Sequence, residues 1–294
     1  MIVVKNNHQF VTDIFALTKP RISLMTLLVA FAGIVHAKSE KDFSYLSLLL
    51  TILGIYALVG GANSLNMAIE YKQDALMNRT KNRPIAAKRL SVFTGFLVGA
   101  LLSLFSLFTL YFFANHYTFY LAIVALILYV MIYTPLKNYS WLSLIIGSIP
   151  GAMPVVLGYA AKSGALDNKC LSLFLWAFLW QIPHFLAISI FREEEYNKAG
   201  FVVMPKIFGL KATKKAILLS SWLLVASTIA LYLTGIICIA SLICSLLLGG
   251  WFLYVSHKNS ADDSNTWAKK TFKASLVYQS ILFMLLLLES LVTL

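Results

Sequence analysis

Long apolar runs separated by short polar stretches dominate the chain from about residue 20 onward. Each run is close to the roughly 20 residues that a helix needs to cross the hydrocarbon core of a bilayer. The pattern predicts an all-α, polytopic integral membrane protein, with 1–294 as a single membrane-embedded domain and about nine transmembrane helices bundled around a central cavity. The nine spans are placed near 20–38, 43–69, 91–114, 117–134, 141–161, 169–190, 212–234, 235–256 and 270–293.

Composition and charge support this map. Hydrophobic residues make up 60% of the chain and charged residues 12%, whereas a soluble domain carries about 25% charge. With a cytoplasmic N-terminus, the positive-inside rule is obeyed and the C-terminus lies outside. The net charge of +12 then reflects topology and attraction to anionic lipid, and nucleic acid is not an expected partner. Only four of the 24 Lys and Arg residues fall outside: Lys38, Lys41, Lys162 and Lys169.

The most informative polar motif follows the second predicted span. Asn66, Glu70 and Asp74 are spaced four residues apart, so on a helix they form one stripe. Such a row of oxygen ligands suits a hard divalent cation, Mg²⁺ above all. Arginine and lysine beside a metal suit a diphosphate. Three cationic residues follow the stripe: Arg79, Lys81 and Arg83. The alternative interpretation is an ordinary polar helix end whose acids pair with nearby cations.

A second acidic motif follows the sixth predicted span, on the same membrane face. Arg192 precedes Glu193, Glu194 and Glu195, and Lys198 follows. Taken alone, this stretch is more typical of a solvated charge run. Lys88 and Arg89, in the first loop, are assigned to topology. His184 lies in an apolar run near the inside end of its helix, where a structural hydrogen bond and a ligand-binding role are both compatible with the sequence.

Several segments together resemble a known family, the membrane-embedded prenyltransferases of the UbiA type. The first motif, Asn-x-x-x-Asp-x-x-x-Asp in that family, stands here as Asn66, Glu70 and Asp74. Within the superfamily the chain most resembles the protohaem IX farnesyltransferases, or haem O synthases. The shared segments are Thr18-Lys19-Pro20-Arg21, Met77 to Pro84, Tyr133-Thr134-Pro135-Leu136-Lys137, Gly147 to Gly158, Pro183-His184-Phe185 and Glu194 to Gly200 with Met204-Pro205. The chain departs from the family in having Glu at 70 and 195, where Asp is usual.

The resemblance implies transfer of the farnesyl group of farnesyl diphosphate to a vinyl group of haem b, giving haem O for haem-copper oxidases. It implies Mg²⁺ as cofactor, with Asn66, Glu70, Asp74 and Glu195 as ligands and Glu194 as a further catalytic acid. His184 becomes a haem-binding candidate. Partners are the bilayer and either haem A synthase or terminal oxidase assembly proteins. The expected location is the bacterial inner membrane, with the active site facing the cytoplasm. Expected diphosphate contacts are Arg79, Lys81, Arg83, Lys137, Arg192 and Lys198.

Two other functions are compatible with parts of the sequence. A relative acting on a quinone precursor such as 4-hydroxybenzoate would share the first motif, but is expected to lack the segments around Lys137 and His184. An ion-coupled transporter or an assembly scaffold would use the acids for a coupling ion. A transporter is expected to carry such acids near the midplane of the bilayer, whereas here they cluster at one end of the helices.

Overall fold

In a computed structural model, the protein is described over residues 7–38, 43–258 and 263–292. The regular structure of these residues is helical throughout. Lys5, Lys41 and both chain ends, which enter the topology prediction, lie outside them. The helices are α1 (Asn7–Leu17), α2 (Pro20–His36), α3 (Tyr45–Ile69), α4 (Tyr71–Leu76), α5 (Val92–Phe113), α6 (His116–Ile127), α7 (Thr134–Leu136), α8 (Ser143–Ser163), α9 (Asn168–Phe191), α10 (Glu193–Lys198), α11 (Met204–Leu233), α12 (Ile239–Lys258) and α13 (Ser264–Val292).

The described helices confirm a polytopic membrane protein with about nine spans. Eight of them are long and apolar enough to cross a bilayer, and α1 with α2 makes a ninth if the bent pair is one span. The bend of 43° falls where Lys19 has a left-handed backbone (φ 48°) and Pro20 starts α2. Proline is well suited to that first position because its missing N–H has no partner in the first turn.

One span boundary differs from the prediction, and one predicted break between spans is confirmed. Helix α11 begins at Met204, upstream of the predicted 212–234, and is interrupted at Gly209, whose φ of 77° and ψ of 169° are non-helical. The part of α11 before Gly209 therefore belongs to the polar loop, and the membrane span begins after Gly209. The weak break predicted at Thr234-Gly235 is real, since α11 ends at Leu233 and α12 begins at Ile239.

Helix α8 lies at the centre of the bundle and packs closely on α2. Of the residues in its apolar stretch, 61% are buried, the largest share among the candidate spans. A Cβ added at Gly33 would lie 2.0 Å from the carbonyl oxygen of Val155, and one at Gly158 would lie 2.0 Å from that of Ala30. Small residues allow such backbone-to-backbone approach between membrane helices. Pro150 and Pro154 lie inside α8, which nevertheless remains one helix.

The sixth helix reaches the site through an unusual turn. A π-helical segment, Leu128–Tyr133, connects α6 to the short α7. Both the N–H and the hydroxyl of Thr134 donate to the carbonyl of Tyr129, and Pro135 has no N–H to continue a regular α-helical ladder. A π turn shifts the side chains that follow it, and such turns are frequent at functional sites. Here the residues that follow are Thr134 and Lys137.

Candidate active site at the end of helix α3

The predicted stripe of Asn66, Glu70 and Asp74 exists, although it does not lie on one uninterrupted helix. Helix α3 ends at Ile69, and Glu70 separates it from α4 with φ −94° and ψ 14°. The i to i+4 hydrogen bonds continue across this break, from the Glu70 N–H to the Asn66 carbonyl (2.9 Å) and from the Asp74 N–H to the Glu70 carbonyl (2.8 Å). The three residues therefore stay in register and are at most 4% exposed.

Each member of the stripe has a cationic partner from another part of the chain. Arg83 donates to both carboxylate oxygens of Asp74 at 2.7 Å. Lys137 pairs with Glu70, and the Lys19 ammonium donates to the Asn66 carbonyl oxygen (Oδ1) at 3.2 Å. Buried carboxylates are costly unless they are paired and hydrogen-bonded. The half-buried Arg83 and Lys137 therefore explain how the two acids are accommodated at the end of a membrane helix.

Neutral hydrogen bonds orient Asn66 and the residues around it. The Asn66 amide donates to the Thr134 hydroxyl (3.1 Å), which donates in turn to the Tyr129 carbonyl (2.8 Å). One turn earlier in α3, Asn63 accepts from the Tyr129 hydroxyl (3.3 Å) and donates to the Thr18 carbonyl (3.4 Å). The α3 stripe is thus connected to the π turn and to the junction between α1 and α2.

Two acidic loops meet at Lys137. The first loop follows α3 and carries Asp74 and Arg83, and the second follows α9 and carries Glu195. The Lys137 ammonium lies over the rings of Tyr133 (4.6 Å) and Phe201 (5.3 Å), an arrangement that favours a cation electrostatically. Its backbone carbonyl accepts from the Val202 N–H at 2.8 Å. Lys137 therefore joins Glu70 of the first motif to the segment that follows the second.

The two loops also share a small hydrophobic cluster. Met77, from the first loop, is buried with Ala199 and Phe201 of the second, and Tyr196 packs against them. Within the second loop Glu195 is half-buried and accepts from Arg192 at 2.7 Å. The predicted convergence of the two loops on one face is thus observed.

The structure does not bring every predicted acid together. Across the described residues, no group of three or more His, Cys, Asp or Glu is arranged to hold a metal ion. Glu195 pairs with Arg192 rather than joining Glu70 and Asp74. Glu194, Lys198, Arg79 and Lys81 are exposed, and Lys81 donates to the nearby Asn78 side chain at 3.1 Å.

His184 lies buried between α9 and α13, surrounded by aromatic rings. Its Nδ1 is 2.9 Å from the Ser275 hydroxyl. Its ring stacks on Trp180 with centroids 4.6 Å apart and lies 4.7 Å from the centroid of Phe272. Trp180 donates from its indole nitrogen to the Ser275 carbonyl at 2.8 Å. The histidine therefore takes part in the contact between these helices.

Sequence reasoning missed three residues of the site. Lys19 and Thr134 both occur in segments that support the family resemblance, but nothing in their spacing indicated that they contact Asn66. Tyr133 lies under the Lys137 ammonium. Apart from its position next to Thr134, nothing in the sequence indicated a role for it in the site. Helical periodicity relates residues along one element, and these contacts join three separate elements.

The donor set around the stripe is suited to a hard divalent cation. Asn66, Glu70 and Asp74 supply amide and carboxylate oxygens from one continuous row, the ligand type that Mg²⁺ prefers. The cations that neutralise them, Arg83 and Lys137, are the types that bind phosphate groups. One buried polar patch therefore contains both the anionic groups that would bind a metal ion and the cationic groups that would bind a diphosphate.

Comparison with known proteins identifies the family. Residues 24–284 match the UbiA prenyltransferase family. The chain belongs to this family. It is 43% identical over 242 residues to the protoheme IX farnesyltransferase of Sorangium cellulosum, covering 82% of this chain and 86% of that protein. It is 36% identical over 287 residues to that of Anaeromyxobacter sp., covering 95% and 94%. These relatives place it in the protoheme IX farnesyltransferase branch.

Solved structures of UbiA proteins have the same fold. A digeranylgeranylglyceryl phosphate synthase superposes with a TM-score of 0.80 at 16% identity, covering 95% of this chain and 98% of that one. A UbiA homologue from Archaeoglobus fulgidus bound to GPP and Mg²⁺ superposes with a TM-score of 0.67 at 17% identity, covering 93% and 99%. At such low identity the agreement concerns the arrangement of helices.

Proposed function

We propose that this UbiA-family enzyme transfers the farnesyl group of farnesyl diphosphate to a vinyl group of haem b, giving haem O and diphosphate. The observation that carries the proposal is the buried row of Asn66, Glu70 and Asp74 with Arg83 and Lys137 against it. The curated relatives, which are protoheme IX farnesyltransferases at 33–43% identity, support the choice of acceptor.

Asn66, Glu70 and Asp74 are the residues that would hold Mg²⁺, with Glu195 as a further ligand from the second loop. A bound Mg²⁺ supplies charge that stabilises the diphosphate as its bond to carbon breaks. The A. fulgidus homologue, which was solved with GPP and Mg²⁺, supports a metal-dependent site. Glu194 is assigned a supporting role as the neighbouring acid.

Arg83 and Lys137 have a second role that follows from their present partners. In the structure they neutralise Asp74 and Glu70. A diphosphate offers them anionic oxygens of higher charge, and charge-assisted hydrogen bonds to such oxygens are strong. We therefore assign Arg83 and Lys137 to the leaving diphosphate, with Arg79, Lys81, Arg192 and Lys198 as further contacts from the two loops.

The chemistry consists of one ionisation followed by two bond-forming steps. The bond between the farnesyl carbon and the diphosphate oxygen breaks, and fixed cations stabilise the departing charge. The vinyl group of haem b attacks the resulting allylic cation. Water then adds to the cation formed on the former vinyl carbon and loses a proton, which gives the hydroxyethylfarnesyl group. Exclusion of bulk water protects the allylic cation until attack.

His184 is the candidate contact for haem, and the acidic loops define the face at which the reaction occurs. The chain is proposed to lie in the bacterial inner membrane with this face toward the cytoplasm, in keeping with the distribution of its Lys and Arg residues. The product would pass to haem A synthase or to terminal oxidase assembly proteins.

The direct test is to incubate the purified protein with haem b, farnesyl diphosphate and Mg²⁺ and to detect haem O by mass. Chelation of Mg²⁺ is expected to stop turnover and readdition to restore it. Glu70→Gln and Asp74→Asn should each lower kcat/KM by about a hundredfold or more, the scale of losing one preorganised electrostatic group. Asp167→Asn, which alters a helix cap at the opposite end of the bundle, is the matched control.

Parallel reactions with 4-hydroxybenzoate as acceptor separate the two prenyltransferase functions. We expect prenylation of haem b alone. A prenylated benzoate together with unchanged haem b would overturn the proposed acceptor, and full turnover by both carboxamide variants would overturn the proposed metal site.

A further inference from the structure

Helix α1 is joined to the site by a partly buried ion pair that the proposed reaction does not use. Asp13, in the middle of α1, has a side chain only 5% exposed. Arg89 donates to it through Nε at 3.1 and 3.0 Å and through a second nitrogen at 3.0 Å. Such a bidentate contact between an arginine and a carboxylate fixes the orientation of the guanidinium as well as its distance from the carboxylate. It connects residues 76 positions apart.

The same guanidinium also holds the loop that carries Arg83. The Arg89 guanidinium donates to the carbonyl of Asn82 at 3.0 Å. The backbone N–H of Arg89 donates to the Pro84 carbonyl at 2.8 Å. Arg83, between these two residues, donates to Asp74. A continuous series of contacts therefore runs from Asp13 through Arg89 and the Asn82 carbonyl to Arg83 and Asp74.

Other contacts join the α1–α2 junction to the stripe, so α1 cannot move independently of it. The Thr18 carbonyl accepts from Asn63, and Lys19 donates to Asn66. Leu17 is fully buried in one cluster with Met67 and Leu90. Helix α1 is thus attached both to the end of α3 and to the loop after α4.

We propose that Asp13 is a positioning residue for the prenyl diphosphate: by holding Arg89 against the Asn82 carbonyl, it sets the place of Arg83. The inference rests on the proposed function, in which Arg83 contacts the diphosphate. Arg89, whose charge the positive-inside rule alone would explain, then acts as the connecting group. The inference assigns these residues no role in haem binding.

The test measures KM for farnesyl diphosphate and KM for haem b separately. Asp13→Asn should raise the first by about ten- to hundredfold, as when a supporting partner of a ligand is removed, and leave the second unchanged. Asp13→Glu keeps the carboxylate and should raise the same KM less. Asp167→Asn, which removes a carboxylate bonded to Tyr159 and to the start of α9, should leave both unchanged.

A double-mutant cycle tests whether Asp13 acts through Arg89. If it does, Asp13→Asn with Arg89→Gln should be no worse than the poorer single variant, since coupled residues are not additive. Independent, multiplying effects would overturn the proposal. So would an equal rise in both KM values, or an effect of Asp13→Glu as large as that of Asp13→Asn.

Arg83→Gln distinguishes failure of this inference from failure of the proposed function. If Arg83→Gln leaves KM for farnesyl diphosphate unchanged, the diphosphate site itself is misassigned. If Arg83→Gln raises that KM and Asp13→Asn does not, the site stands and the positioning role is wrong. Size-exclusion profiles in detergent establish that each variant is folded; should Asp13→Asn not fold, Asp13→Glu and Arg89→Gln decide.

Discussion

Buried carboxylates at the end of an apolar helix define the candidate site at the residue scale. Glu70 and Asp74 are at most 4% exposed, and each is neutralised by a cation that has a further potential partner in a diphosphate. Asn66 differs from them because it is neutral and is held on both sides, by Lys19 and by Thr134. We interpret it as the oriented end of the row.

Thr134 gives a prediction at this scale. Thr134→Val keeps the shape but leaves the Asn66 amide without its acceptor, and a buried unpaired group costs about 1–3 kcal/mol. The variant should therefore unfold at a lower temperature in detergent and turn over more slowly. Thr134→Ser retains the hydroxyl and should behave like the wild type in thermal unfolding. Equal melting of the Val and Ser variants would contradict the assigned hydrogen bonds.

At the scale of elements, breaks in helices place the functional side chains. Glu70 stands between α3 and α4, the π turn ends before Thr134, and the bend after α1 presents Lys19. Each break was visible in the sequence only as a polar or proline-containing end of an apolar run. The i to i+4 hydrogen bonds across Glu70 are those of the predicted helix, whereas the break at Glu70 itself gave no further signal in the sequence.

The contact between α9 and α13 gives a prediction for haem binding. His184→Ala should raise KM for haem b and leave KM for farnesyl diphosphate unchanged. Ser275→Ala removes the hydroxyl near Nδ1 but keeps the imidazole, so its effect on haem should be smaller. If Ser275→Ala reproduces the loss, or if both KM values change together, His184 serves the packing of these helices instead.

At the scale of the whole molecule, the two acidic loops meet on one face through Lys137 and the cluster around Met77. An amphiphilic donor can then keep its chain among apolar helices while its diphosphate reaches both loops. The charge distribution predicts that this face is cytoplasmic, and chemical labelling can test the orientation.

The native cysteines supply a topology experiment. Cys238 is exposed in the turn between α11 and α12, Cys244 is exposed within the apolar span α12, where an impermeant reagent does not reach, and Cys170 is buried. A membrane-impermeant maleimide should label intact cells at Cys238, and Cys238→Ser should remove that signal. Lys81→Cys in the Cys238→Ser background should react only in inverted membrane vesicles. The opposite pattern would reverse the proposed orientation.

The sequence by itself determined the spans, the face on which the acids lie and the row of Asn66, Glu70 and Asp74. Hydropathy, charge and helical period act on neighbouring residues, so they can be read along the chain. Only the tertiary structure decided that Lys19, Arg83 and Lys137 meet that row, that Glu195 pairs with Arg192, and that Arg89 binds Asp13. Which charges pair depends on how distant helices pack, and several cations near each acid were equally compatible with the sequence.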